Sequence, residues 1–270
     1  MQVQRIRLIY FSATDTTRKI VRQVGAVLSQ RLSAVVQEDD FTLPAARERD
    51  ITCCADELAV VGVPVYAGRI PNKLLPYVAE RIHGSSTPAV PVVLFGNRAY
   101  DDALIELRDV LEQNGFRSIA GAAFVGEHSF SNTLAAGRPD AEDLHVAQGF
   151  AEQIADRVEG MDALPEQPVQ VKGNIPLRPY YTPKNARAYL KVKPVVSDAC
   201  VACGKCAALC PVGCIDAQDV RRYTGPCIKC GACIKKCPQH ARYFDDEVYL
   251  YHKNELEKNF MRRAAVDLFF

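Results

Sequence analysis

Long apolar runs, a large net charge and a glycine-rich dinucleotide motif are all missing from this 270-residue sequence. No apolar run approaches the roughly 20 residues of a membrane-spanning helix. The 33 Lys and Arg residues nearly balance the 32 Asp and Glu residues, so no global field attracts nucleic acid. The absence of a G-x-G-x-x-G pattern argues against a self-contained NAD(P)H dehydrogenase. The opening residues, MQVQRIRLIYFSATDTT, lack the apolar region and cleavage site of a secretory signal.

Cysteine, in contrast, is abundant and patterned. Eight of the eleven cysteines form two runs with the spacing C-x2-C-x2-C-x3-C-P, and each member of the second run lies 27 residues after its counterpart. The first run contains Cys200, Cys203, Cys206 and Cys210, and the second contains Cys227, Cys230, Cys233 and Cys237. This spacing is typical of two [4Fe–4S] clusters, which accept and release single electrons. Zinc and disulfides are the alternatives, but zinc sites usually separate their C-x2-C pairs further and disulfides require a secreted context.

The spacing also predicts which cysteines act together. Three thiolates within seven residues converge on one cluster if the backbone curls, which Gly204 and Gly231 allow, and backbone amides can then donate to the sulfurs. The fourth cysteine of each run ligates the other cluster. The first cluster site is therefore predicted as Cys200, Cys203, Cys206 and Cys237, and the second as Cys227, Cys230, Cys233 and Cys210. Residues 197–245 resemble the bacterial-type two-cluster ferredoxins, which implies a small α+β domain.

The first 160 residues alternate strand and helix patterns. A buried strand is predicted at 5–11, a short strand at 34–37, a nearly all-apolar central strand at 57–63, and further strands at 89–95 and 116–125. Helices are predicted at 16–31, from Pro71 onward, at 101–114 and at 139–158. This order predicts an α/β domain over residues 1–160 with a doubly wound, five-stranded parallel sheet. Ligands of such sheets bind beyond the carboxyl ends of the strands.

Three further segments follow. Residues 161–196 contain six prolines and are predicted to be a linker or wrapping segment without long regular elements, in which Tyr180 and Tyr181 can pack onto either domain. Residues 197–245 form the cluster-binding domain. Residues 246–270 are predicted to be a helical extension that packs back onto the body of the protein.

The loop after the first strand carries Ser12, Thr14, Asp15, Thr16 and Thr17 and leads into a helix. Hydroxyl groups beside helix N-terminal amides favour phosphate binding, and a helix N-cap with spare hydroxyls is the alternative. The loop resembles the flavodoxin phosphate loop, [ST]-x-T-G-x-T, except that Asp15 stands where the family has glycine. Asp tolerates a left-handed backbone, but its carboxylate must point away from a bound phosphate.

Two later loops resemble the loops that hold the flavin ring in flavodoxins. The first comprises Pro64, Val65, Tyr66, Ala67 and Gly68, and the second includes Asn97, Arg98, Ala99, Tyr100 and Asp102. The resemblance implies that Tyr66 and Tyr100 flank the ring, although either can be an ordinary surface tyrosine. Three loops at the ends of successive strands predict FMN as the cofactor of this domain.

The whole chain resembles the flavodoxin–ferredoxin fusion proteins of mostly anaerobic bacteria and archaea, and residues 126–131 and 136–144 also resemble this family. The resemblance implies FMN and two [4Fe–4S] clusters but no established substrate. His128 is interpreted as a loop histidine, with flavin contact as the alternative. Cys214 is interpreted as a packing residue, and Cys53 and Cys54 as buried or free thiols because adjacent cysteines bond poorly to each other.

The leading hypothesis is an electron-transfer protein that links paired and single electron chemistry and exchanges electrons with other redox proteins. The alternative is a flavin-dependent reductase that acts on a small molecule and exchanges electrons through the clusters. Its substrate pocket would lie near Arg98, Glu127, His128 and Ser129. A third possibility is loss of FMN because of Asp15. The lack of a signal-peptide pattern in the opening residues predicts a cytoplasmic location, and oxygen-sensitive clusters would fit this reducing compartment.

The cluster-binding segment has a local charge. Residues 197–245 contain seven Lys and Arg and four Asp, which gives +3. Two interpretations remain open: the cations offset the negative cluster–thiolate units, or they form a docking face for an acidic partner.

Overall fold

A computed structural model describes residues 1–182 and 186–270. The strands are β1 (Arg5–Tyr10), β2 (Val35–Asp40), β3 (Ile51–Cys53), β4 (Glu57–Pro64), β5 (Ile82–Gly84), β6 (Thr87–Phe95), β7 (Phe116–Ser118), β8 (Gly121–Val125), β9 (Val195–Val196), β10 (Arg242–Tyr243) and β11 (Asp267–Phe269). The helices are α1 (Thr16–Leu32), α2 (Leu75–Arg81), α3 (Ala103–Gln113), α4 (Ala141–Gly160), α5 (Ala186–Lys191), α6 (Lys205–Ala208), α7 (Ala232–Lys235) and α8 (Glu247–Asn259), with a 3-10 helix at Pro44–Glu48.

The five predicted parallel strands form the centre of one sheet in the order β2-β1-β4-β6-β8. This order is that of the flavodoxin-like doubly wound sheets, so the predicted fold class is confirmed. Helices α1 and α4 cover one face and α2 and α3 cover the other, and each face has its own apolar core. Burial on both faces explains why β4 and β6 are almost entirely apolar.

The structure corrects several predicted element boundaries. The strand predicted at 116–125 is two strands, β7 and β8, and both pair with β6. The helix expected from Pro71 begins at Leu75, because residues 71–74 form a turn closed by the bond from Leu74 N to the Pro71 carbonyl. Strand β2 runs to Asp40 rather than ending at 37. The short strands β3 and β5, which were not predicted, pair with each other.

The extension at 246–270 packs back onto the body as predicted, but it is not helical throughout. Helix α8 ends at Asn259, and β11 joins the sheet antiparallel to β8. Strand β11 therefore covers the exposed edge of β8, which would otherwise leave unpaired backbone groups.

The cluster-binding segment contains the short helices α6 and α7 and the antiparallel pair β9–β10. Strand β9 lies in the stretch predicted as a wrapping segment, and residues 183–185 of that stretch lie outside the described residues. Within the described ranges, no helix combines the length and the apolar character needed to cross a membrane.

Candidate functional site

The loop between β1 and α1 lies at the carboxyl edge of the sheet, where a phosphate site was predicted. Thr14, Thr16 and Thr17 line a large cavity. Ser12 does not, because its buried hydroxyl accepts the backbone N–H of Arg18 at 3.0 Å and so holds the loop itself. The Asp15 side chain does not cap α1 and Ser12 takes only the Arg18 N–H, so the amides of Thr16 and Thr17 are available to an anion.

Asp15 departs from the flavodoxin pattern without disturbing this loop. Its backbone is left-handed, with φ 68°, the conformation for which flavodoxins use glycine. Its carboxylate pairs with Arg18 at 3.1 Å and with Lys236 Nζ at 2.8 Å, and it does not line the cavity. Asp15 therefore connects the phosphate loop to the second cysteine run.

The loop after β4 forms a second wall of the cavity. Pro64, Val65, Tyr66, Ala67 and Gly68 all line it. Hydrogen bonds between Tyr66 and Arg69 close a turn in which both central residues have positive φ. Burial raises the pKa of Tyr66 well above its ordinary value, and the nearby thiols of Cys230 and Cys227 raise it further.

The loop after β6 divides into two parts. Arg98 and Ala99 line the cavity, whereas the other three predicted residues of this loop do not. The Asn97 amide donates to the Phe260 and Arg262 carbonyls, both at 2.6 Å. The Tyr100 hydroxyl donates to Asp267 at 2.6 Å instead of flanking a ring in the cavity.

Asp102 also makes structural hydrogen bonds instead of lining the cavity, and its partners lie in the wrapping segment. Its fully buried carboxylate accepts from the backbone N–H groups of Asn174 at 3.0 Å and Arg178 at 2.6 Å. Burial opposes ionisation, but these hydrogen bonds outweigh it and lower the pKa of Asp102. Asn97, Tyr100 and Asp102 thus position the segments that enclose the cavity.

A fourth loop, which follows β8, also lines the cavity with Gly126, Glu127, His128, Ser129 and Phe130. Nδ1 of His128 accepts the Phe130 N–H at 3.1 Å, and the residue lines the cavity. Burial, assisted by the positive charges of His252, Lys235 and Arg98, lowers the pKa of His128 to about 4. His128 is therefore neutral at pH 7, and its own loop provides a hydrogen-bond partner for only one of its two ring nitrogens.

The cavity has a volume of about 520 Å³, within the range of small-molecule and cofactor sites. Its remaining wall comes from the second cysteine run, the wrapping segment and α8. These lining residues are Pro226, Cys227, Ile228, Lys229 and Cys230, then Tyr180, Tyr181, Thr182, Tyr189 and Leu190, and finally His252 and Leu256. We call this space the shared cavity, because the flavodoxin-like loops and two cluster cysteines face it together.

An aromatic wall of Phe130, Tyr181, Tyr189 and His252 closes one side of the shared cavity. Tyr181 stacks on His252 with ring centroids 6.1 Å apart, and Tyr189 meets the edge of His252 at 5.6 Å. The Tyr181 N–H donates to the Ala67 carbonyl at 2.8 Å, and the Arg98 guanidinium lies over the Tyr181 ring. No pattern in the sequence predicted this wall beyond the Tyr180–Tyr181 pair, because its members are distant in sequence.

The two cysteine runs fold alike. Helices α6 and α7 both begin after a left-handed glycine, Gly204 with φ 75° and Gly231 with φ 78°. None of the eleven cysteines forms a disulfide. Backbone amides donate to three sulfurs: Cys214 N to Cys210 Sγ, Lys229 N to Cys227 Sγ, and Ala241 N to Cys237 Sγ, at 3.3–3.4 Å. Thiolates held in this way suit iron–sulfur ligation.

The surroundings of the first cluster site support the same chemistry. Cys200, Cys203, Cys206 and Cys237 line one small cavity together with Arg242, and Cys233 of the second site also borders it. The Arg242 guanidinium is buried, and its Nε–H has no acceptor among the described residues. A buried donor beside thiolates fits a site whose acceptors are the sulfurs of a cluster.

The thiols outside the predicted ligand set are placed as expected. Cys214 is buried 3.6 Å from Cys210, sulfur to sulfur, in agreement with a packing role. Cys53 is buried, which raises its thiol pKa to about 12, and Cys54 is exposed. Neither adjacent cysteine lines the shared cavity.

The second run docks directly onto the flavodoxin-like loops. The Lys235 ammonium pairs with Glu127 and donates to the Ser131 carbonyl at 2.5 Å, while Lys236 pairs with Asp15. Gly231 allows close approach, since a Cβ there would lie 2.8 Å from the Ser129 carbonyl oxygen. Cys230 and Ala232 belong to the same apolar core as β4 and β6. Much of the positive charge of this segment therefore faces the protein interior.

Comparisons with known proteins give one matching family model and several similar solved structures. A family model described as a 4Fe–4S binding domain matches residues 197–213 and 224–247. Similar solved structures include a flavodoxin from the domain Archaea, with 14% identity, a TM-score of 0.40, and coverage of 58% of this chain and 99% of that one. A short-chain flavodoxin associated with a PDU bacterial microcompartment has 16% identity, a TM-score of 0.40 and coverage of 58% and 99%.

An NADH:FMN oxidoreductase, solved in its apo form, has 18% identity, a TM-score of 0.40 and coverage of 62% of this chain and 92% of that one. No curated protein matches the sequence. The fold assignment rests on the strand order of the sheet rather than on these structural similarities. The chain joins a flavodoxin-like parallel sheet to a 4Fe–4S binding segment, which is the architecture that the resemblance to flavodoxin–ferredoxin fusion proteins implies.

Proposed function

We propose that this protein holds FMN and two [4Fe–4S] clusters and carries electrons between FMN and external redox proteins. One observation carries the proposal. Cys227 and Cys230, predicted ligands of the second cluster, line the same cavity as the phosphate loop and the two ring-binding loops. A flavin in that cavity and a cluster on those cysteines would be neighbours, with no third domain between them.

The chain's own residues suit each cofactor. Thr14, Thr16, Thr17 and the first amides of α1 would hold the phosphate, and Tyr66 and Ala99 would lie along the ring. When bound, FMN exchanges electrons singly or in pairs and each cluster exchanges one at a time. The aromatic wall and the second run both line the cavity between the two sites and would limit the access of water to a bound flavin.

The two cluster sites differ in exposure, which supports an order for the electron route. Cys203 is exposed, and its neighbour Val201 is 65% exposed. Cys210 and Cys230, assigned to the second site, are buried. We therefore propose that external proteins exchange electrons at the first cluster, and that the second cluster connects it to the flavin.

The test is anaerobic purification followed by cofactor analysis and rapid reduction. We expect one flavin and about eight iron atoms per chain, with flavin bleaching that follows cluster reduction by a low-potential donor. Purified protein that contains zinc instead of iron would overturn the cluster assignment. Protein that carries iron but binds no added FMN would overturn the flavin assignment and leave the first domain as a docking module.

A reductase is the second candidate, because the cavity is enclosed by the second run, the wrapping segment and α8. A flavin whose edge docks directly with proteins would need an open rim, whereas this cavity offers Arg98, His128 and His252 to a small molecule. Reduced holoprotein mixed with a protein oxidant and, separately, with small-molecule oxidants distinguishes the two. Reoxidation by proteins favours the carrier, and reoxidation restricted to one class of small molecules favours the reductase.

We also propose a cytoplasmic location. Oxygen-sensitive clusters on the eight patterned cysteines would be suited to a reducing compartment. Fractionation of the native host would test this, with the protein expected alongside cytoplasmic markers.

A further inference from the structure

Lys229 is a buried cation at the boundary between the shared cavity and the second cluster site. The residue is 5% exposed and lies between Cys227 and Cys230 in sequence. Its ammonium group donates to the Leu190 carbonyl at 3.3 Å and lies 4.9 Å from the centroid of the Tyr189 ring. Among the described residues, it forms no ion pair with a carboxylate. A buried charge with only dipoles and a ring around it is costly unless another negative charge comes close.

The local backbone gives no reason for a lysine here. Lys229 has φ 55°, a left-handed conformation that disfavours a long side chain. The equivalent residue of the first run is Ala202, with φ 51°, so the cysteine loop folds equally well around alanine. The charge at this position is therefore a property of the second site and not a requirement of the motif.

Two partners of negative charge are expected beside Lys229. One is the thiolate-bound cluster of Cys227 and Cys230, and the other is a reduced flavin in the shared cavity that Lys229 lines. Adding an electron to either increases the negative charge in a site of low dielectric constant, where a fixed cation stabilises it most. The position of Lys229 places one charge within reach of both.

We infer that Lys229 is a positioning residue whose positive charge stabilises electrons on the second cluster and on the flavin. An electron on the internal route would therefore have its lowest free energy on the cofactors at the shared cavity. This inference rests on the proposed function. The inference depends only on the charge and position of the ammonium group. It does not depend on any change in the protonation of Lys229.

The test compares reduction potentials of anaerobic holoproteins by spectroelectrochemical titration, with flavin absorbance and the paramagnetic signals of reduced clusters as readouts. Lys229→Met removes the charge at similar length. Lys229→Gly also removes it but relieves the positive φ, which keeps the test valid if the first variant folds poorly. We expect the equilibrium constant for reduction of the second cluster to fall at least about tenfold, or about 59 mV for a one-electron couple, and the flavin potential to become more negative.

Lys229→Arg keeps the charge, so it should stay close to the wild-type potentials. Lys205→Met is the matched control for the potentials of the second cluster and the flavin, because Lys205 is an exposed cation that lines the first cluster site and not the shared cavity. Unchanged potentials in Lys229→Met and Lys229→Gly, or an equal shift in Lys229→Arg or Lys205→Met, would overturn the inference. Wild-type protein without flavin or iron would instead refute the proposed function before any variant is compared.

Discussion

The two cysteine runs have the same spacing and the same local fold, but they face different surroundings. Each curls through a left-handed residue and a left-handed glycine into a one-turn helix. The first run presents Val201, Ala202 and Cys203 to solvent. The second places Cys230, Gly231 and Ala232 against the flavodoxin-like domain. The comparison shows that the motif builds the site, whereas the packing around it decides which neighbour the site has.

Three substitutions between the runs account for this difference. Ala202, Ala208 and Leu209 of the first run correspond to Lys229, Lys235 and Lys236 of the second. Lys235 and Lys236 pair with Glu127 and Asp15 of the first domain, and Lys229 lines the shared cavity. Most of the positive side chains in the cluster-binding segment therefore make contacts inside the chain. This weakens the interpretation that they form a docking face for an acidic partner. Lys205, Arg221 and Arg222 are the exposed exceptions, and of these only Arg222 pairs with a carboxylate, that of Asp216 at 3.5 Å, among the described residues.

The largest effect is expected from removing one ligand of each run. Cys230→Ala and Cys203→Ala should each reduce iron from about eight to about four atoms per chain. In Cys230→Ala, flavin reduction through the clusters should be lost, because the remaining cluster lies away from the shared cavity. In Cys203→Ala, a flavin reduced by light should still equilibrate with the second cluster, while exchange with protein donors is lost. Iron analysis and stopped-flow absorbance measure both, and identical behaviour of the two variants would contradict the proposed order.

A smaller effect concerns His128, which lies next to the second-run docking site. Its pKa is about 4 in the folded protein and about 6.5 when unfolded. Because the unfolded chain binds the proton more tightly, the folded state has its full stability above pH 6.5 and loses it as the pH falls towards 4. From these two values, the unfolding free energy should fall by about 2 kcal/mol between pH 7 and pH 5.

Urea titrations of the holoprotein followed by circular dichroism would measure this loss. His128→Gln cannot titrate, so the contribution of this residue should disappear, while that of His252 remains. An equal pH dependence in wild type and His128→Gln would show that the imidazole does not titrate as its burial requires.

The smallest effect is expected at the Asp15–Lys236 pair, whose counterpart position in the first run is the apolar Leu209. Both side chains are partly exposed, at 41% and 23%, so a double-mutant cycle with Asp15→Asn and Lys236→Met should give about 0.5 kcal/mol of coupling. Asn keeps the left-handed backbone, and FMN affinity should remain unchanged or increase because a carboxylate near the phosphate loop is removed. Isothermal titration with FMN and urea unfolding would measure the two quantities. A loss of FMN affinity in Asp15→Asn would mean that the carboxylate itself supports the phosphate site.

Much of the sheet could be predicted from the sequence, because buried parallel strands such as β4 and β6 are continuous apolar runs. Strand β11 could not, since a three-residue segment has no periodicity of its own and gains its structure from β8, about 145 residues earlier in the chain. The same limit applies to Asn97, Tyr100 and Asp102. Their loop was predicted to hold the flavin, but their hydrogen-bond partners are residues 174–178 and 260–267.

The sequence by itself determined the local binding motifs. These are two cysteine runs whose spacing lets the backbone curl around clusters, and hydroxyl-rich or aromatic loops at the ends of parallel strands. Short-range geometry suffices for these, because the groups that act together lie within a few residues of each other. Only the tertiary structure decided that the second run, and not the first, closes the cavity of the flavodoxin-like domain. That choice depends on contacts such as Lys235 with Glu127 and Gly231 with Ser129, between segments about 100 residues apart, and their free energies act only once both domains have folded.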